Sequence, residues 1–133
     1  MKPSVAVTWI LLLGLAAPLF AHHSFAAEFD GKQRIELTGV VTKIEWTNPH
    51  VWFYVNVQDE ATGKLVNWGA EMGSPNALMR TGWTRNTMKV GMVVSFNGSR
   101  SKDGSNRVNT SSVSVDGKKL GAASSEGERP EQP

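Results

Sequence analysis

Three histidines and one carboxylate carry the most specific chemistry in this chain. His22 and His23 are adjacent, His50 follows Thr47-Asn48-Pro49, and Glu71 lies further on. An apolar run from Val5 to Phe20 follows Lys2 and ends at Pro18-Leu19-Phe20-Ala21. It is shorter than the roughly 20 apolar residues of a spanning helix and closes on a small residue, so it reads as a secretory signal peptide. An uncleaved anchor is the competing reading. Cleavage after Ala21 would make His22 the first residue of the mature chain, with a free α-amine beside its imidazole. That amine, the His22 ring and a second imidazole from His50 or His23 form a nitrogen set suited to Cu(II) or another divalent metal. Glu71 would orient His50 or add an oxygen. Affinity should fall below about pH 6.5, where imidazoles protonate. The competing reading makes His22-His23 a solvated start and His50 a half-buried partner of Glu71.

Other chemistry is poorly represented. Ser74 has no Gly-x-Ser-x-Gly elbow, and nothing places two of Glu45, Asp59 and Glu71 around one bond. Lys102-Asp103-Gly104-Ser105-Asn106 reads as a hairpin turn, not a phosphate loop. Arg80, Arg85, Arg100 and Arg107 read as solvated charges, and Met72, Met79, Met88 and Met92 as core fillers, with a methionine copper site a lesser alternative. No residue pattern points to catalysis. The absence of cysteine excludes thiol nucleophiles, thiolate metal sites and disulfides. A net charge of +2 over 133 residues argues against a nucleic-acid binder.

The elements that would position these groups are mostly strands. The first begins at Ile35-Glu36-Leu37-Thr38, and its phase shifts after Gly39, which suggests a bulge or bend. The second, Val51 to Val57, alternates cleanly, with Val51, Phe53, Val55 and Val57 on one face. A turn at Asp59 to Lys64, with Gly63 suited to positive φ, leads to a third strand ending at Met72. Ser74-Pro75 opens a short helix that stops before Gly82. Two more strands follow, at Val93 to Arg100 and about Arg107 to Val115, before a turn at Asp116-Gly117.

Pairing Asp59 with Lys64 sets Phe53 against Ala70, Val55 against Trp68 and Val57 against Val66, all apolar. The opposite face then carries His50, Trp52, Tyr54 and Asn56, with Glu71, Gly69 and Asn67 across from them. His50 falls diagonal to Glu71. Trp52, Tyr54, Asn56 and Asn67 form a candidate platform for a peptide, glycan or protein. The competing expectation is that the segment from Ser24 to Phe29, or the Trp83 loop, covers its aromatics. Five strands with one helix between the third and fourth predict a small all-β, OB-type barrel. A small sandwich is the alternative.

The chain thus divides into a signal peptide (residues 1–21), an OB-like domain (residues 22–120) and a tail from Gly121 to Pro133 too poor in apolar residues to order. The expected protein is periplasmic and non-catalytic. Its partner is a periplasmic protein or small ligand, and it keeps no stable membrane anchor once cleaved. His22-His23-Ser24-Phe25-Ala26-Ala27-Glu28-Phe29-Asp30, Trp46-Thr47-Asn48-Pro49-His50 and Glu71-Met72-Gly73-Ser74-Pro75-Asn76-Ala77-Leu78 resemble an uncharacterised family of small exported bacterial proteins. Lys102-Asp103-Gly104-Ser105-Asn106 fits the same pattern. That resemblance spans Ala21 to Leu120 and implies export and a small β domain, with no known activity or cofactor.

Overall fold

The computed structural model describes residues 25–124. The expected signal segment, His22 and His23, and the tail beyond Ser124 lie outside the described residues. The order of elements is α1 (Phe25–Glu28), β1 (Phe29–Glu45), β2 (Trp52–Gln58), β3 (Leu65–Glu71), α2 (Pro75–Arg80), β4 (Val93–Ser101), β5 (Arg107–Val115) and β6 (Lys118–Gly121). The strands pair in the order β3-β2-β1-β4-β5-β6. A parallel pairing of Gly69, Ala70 and Glu71 with Arg107, Val108 and Asn109 joins β3 to β5, so five strands pair in a ring.

The β2–β3 hairpin has the register expected from its turn. Phe53 faces Ala70, Val55 faces Trp68 and Val57 faces Val66. Phe53, Val55 and Ala70 are buried, because slipping by one residue would turn this face to solvent. Phe53 meets Phe96 of β4 edge-on, with ring centroids 5.3 Å apart, and Leu78 of α2 is buried in the same core. Burying a side chain of this size contributes about 1.5–3 kcal/mol.

Strand β1 serves two neighbours. Phe29 to Val40 pairs with β4, and Val40 to Glu45 pairs with β2. The register shift expected after Gly39 falls between Val41 and Lys43 instead. Gly39 has a different cause: a Cβ there would lie 2.1 Å from the Asn56 carbonyl oxygen. Only glycine lets β2 cross so close as β1 changes partners.

Helix α2 forms where its cap signals stand. The Ser74 hydroxyl accepts a hydrogen bond from the Ala77 N–H, and Pro75 opens the helix. Ser74→Ala should cost about 1 kcal/mol in a urea-unfolding measurement.

Four expectations need correction. A sixth strand exists: β6 pairs Lys118–Gly121 with Ser112–Val115. It is too short to show a period, and Leu120 is its one buried side chain. A single helical turn, α1, precedes β1. Gly121 to Ser124, expected to belong to the tail, packs against the domain: Ala122 is buried, its N–H donates to the Ser111 carbonyl, and its own carbonyl accepts from Gly73 N–H. These are main-chain contacts, to which composition is blind. Finally, Met72 and Met88 fill the core, whereas Met79 is exposed on α2.

Candidate functional site

His50 is delivered by the turn before β2, where the Asn48–Pro49 peptide is cis. Val51 N–H donates to Gly73 O at 2.9 Å and Met72 N–H to Val51 O at 2.8 Å, extending the β2–β3 ladder past the last strand residues. This holds the His50 ring against Glu71, and Nδ1 hydrogen-bonds Oε1 of that carboxylate. The His50 side chain is 43% exposed and that of Glu71 only 10%. Burial raises the Glu71 carboxyl above the ordinary range, with the hydrogen bond and charge of His50 opposing it; Glu28 raises it further and Arg107 lowers it. With this carboxylate ionised it can only accept, and a neutral ring donating from Nδ1 would keep its lone pair on Nε2.

The start of the described chain packs against the end of β4, with Phe29 paired to Ser101 and Asp30 to Arg100. Glu28 is near enough to Glu71 to influence its charge. The Lys102 main chain donates to Glu28 O at 2.9 Å, the Lys102 ammonium donates to Ala26 O, and the Phe25 and Phe29 rings stack at 6.0 Å. His22 and His23, the other two expected ligands, lie outside the described residues. Among the described residues no three His, Asp or Glu side chains converge as a metal-holding group. His50 and Glu71 do come together, on the diagonal that the register implies.

The aromatic platform is assembled beside them. Trp52 and Tyr54 stack at 6.4 Å with their planes 19° apart, both half-buried. Gly69 lies beneath: a Cβ there would touch Tyr54 Cε1 at 3.3 Å. Asn67 Nδ2 donates to Asn56 Oδ1 at 2.9 Å and to Thr42 Oγ1 at 3.1 Å. The Lys43 ammonium sits 5.5 Å from the Tyr54 ring centroid and 2.7 Å from Glu45 Oε1. Thr42 and Lys43 join this face at the bulge between Val41 and Lys43, two residues beyond the phase change that the sequence suggests. Trp83 is buried in the core, its indole N–H donating to Gly121 O at 2.9 Å.

A family model described as a family of unknown function, DUF6152, matches residues 10–110. The chain belongs to the DUF6152 family. No curated protein and no solved structure matches it. The match bears out the resemblance to an uncharacterised family.

Among the arginines of this DUF6152 chain, Arg80 and Arg85 are exposed as expected, and Arg107 contacts Asp103 at 3.4 Å. Arg100 departs from expectation. It is half-buried, and its guanidinium lies 5.2 Å from the Trp68 ring centroid. Only the parallel closure of β3 on β5, which β4 flanks, brings the two together; their sequence separation hides them.

Proposed function

We propose that this chain is an exported, periplasmic, non-catalytic binding module that holds a divalent metal, Cu(II) in preference, through His22, His23 and His50. One observation carries the reading: the exposed His50 ring turns Nδ1 to the buried Glu71 carboxylate, which would free Nε2 to ligate a metal. Carboxylate-oriented imidazoles of this kind are the usual supporting arrangement of metal-bound histidine. Export rests on Lys2, the apolar run and Ala21. No helix among the described residues is long and apolar enough to cross a membrane. For the fold we propose the OB type, supported by the five-strand ring and by α2 between β3 and β4.

The test is calorimetric titration with Cu(II) of the chain beginning at His22, with its α-amine free or acetylated. Acetylation removes one nitrogen ligand and should weaken binding at least about tenfold. Equal affinity for the two forms would sink the proposed ligand set. Intact mass of the exported protein checks the first residue.

The stacked, half-exposed Trp52–Tyr54 pair beside the Asn56–Asn67 amide pair favours a second reading, an accessory domain that binds a peptide, glycan or protein on that face. On arrays of glycans and peptides, Trp52→Ala should lose the ligands that the unaltered protein retains, with copper affinity unchanged. Array binding indifferent to Trp52→Ala would exclude this face.

A further inference from the structure

A cleft of about 720 Å³ opens at the far end of β2 from His50, between the β2–β3 turn, the middle of β1 and the end of β4. Its volume falls within the roughly 300–1,000 Å³ usual for small-molecule sites. The walls include Val57, Trp68, Arg100 and Asn106, with Glu36 and Glu60 also lining the cleft.

Arg100 is the unusual member. Its guanidinium lies over the Trp68 ring, and one terminal nitrogen donates to Gly104 O at 3.2 Å. Its Nε is buried without a hydrogen-bond partner. No carboxylate among the described residues forms an ion pair with it. A half-buried guanidinium fixed in place but lacking an anion is suited to a carboxylate, which it can engage through charge-assisted hydrogen bonds. The acids of the cleft differ in kind. Asp59 is occupied by the main-chain N–H groups of Ala61 and Thr62. Glu36 and Glu60 are exposed, and neither forms an ion pair among the described residues. The cleft therefore offers one unanswered cation beside an aromatic ring and two unanswered anions.

We propose that this cleft binds a short peptide by its two ends, the free carboxylate at Arg100 and the amine toward Glu36 and Glu60. The site is separate from the histidine pair, and the inference does not depend on copper binding. The probe is trialanine, titrated into the whole exported chain in the presence of a chelator, since peptides themselves bind copper. Calorimetry gives affinity, and the NMR shift of the Trp68 indole N–H reports the location.

Trialanine should bind in the millimolar range or tighter and move the Trp68 signal. Trialanine amide and N-acetyl-trialanine should each bind about tenfold more weakly, as expected for loss of one charged hydrogen-bonded end. Arg100→Gln should make trialanine and its amide equivalent. Glu36→Gln with Glu60→Gln should make trialanine and its acetylated form equivalent. These two rim residues are exposed, so that variant folds even if Arg100→Gln does not. Failure of trialanine to bind, a stationary Trp68 signal, or equal affinity of the unaltered protein for all three peptides would overturn the proposal.

Discussion

Gly98→Ala is expected to destabilise the domain by about 3 kcal/mol or more, enough to remove much of the roughly 5–15 kcal/mol that holds a domain folded. Gly98 lies in β4, between Ile35 of β1 and Thr110 of β5, where the β4–β5 register shifts. A Cβ at this position would stand 2.0 Å from the Asn109 carbonyl oxygen and 2.7 Å from Val108 Cγ1. The first obstacle is backbone inside a paired strand, so no rotamer change relieves the overlap. Overpacking against movable side chains already costs about 1–3 kcal/mol, and displacing a strand costs more. Gly121→Ala supplies the contrast. Its Cβ meets nothing within 4 Å, and its unfolding free energy should stay within about 0.5 kcal/mol of the unaltered protein. Urea unfolding of the two variants checks the pair. Equal midpoints would mean that β4 and β5 do not approach as described.

The second large effect concerns the proposed metal site. Glu71→Gln should lower Cu(II) affinity about 10–100-fold, the usual loss when the group orienting a ligating imidazole is altered. His50→Ala should exceed that, because it removes a proposed ligand outright. Glutamine retains the shape of Glu71 but not its charge, and its amide nitrogen can turn a donor toward Nδ1, allowing the other tautomer. Nε2 would then carry the proton and lose its ligating lone pair. His50→Ala also leaves Glu71 buried without its partner, a cost of about 1–3 kcal/mol that urea unfolding measures separately. If both variants bind copper like the unaltered protein while acetylation of His22 weakens binding, the N-terminal histidines act alone and the domain contributes no ligand. If acetylation too has no effect, the copper reading falls.

Local signals in the chain were sufficient for several features. The β2–β3 register follows from one turn, because side chains alternate with a period of two and only one register buries Phe53, Val55 and Val57 together. The same register by itself places His50 near Glu71. Ser74, Pro75 and Gly82 mark the ends of α2 because capping is decided within one turn of chain. The family match likewise runs along one contiguous stretch, residues 10–110.

What required the tertiary structure is everything set by contact between distant segments. The need for glycine at positions 39 and 98 comes from carbonyl groups on neighbouring strands, not from any turn of their own. The packing of Gly121 to Ser124 comes from main-chain hydrogen bonds, which no side-chain pattern reports. Arg100 reads as a surface charge until β3 pairs with β5 and sets Trp68 beneath its guanidinium. Hydrophobic period and capping act within a few residues and leave a trace in the sequence. Close approach, strand closure and the pairing of remote charges depend on where the whole chain travels in space.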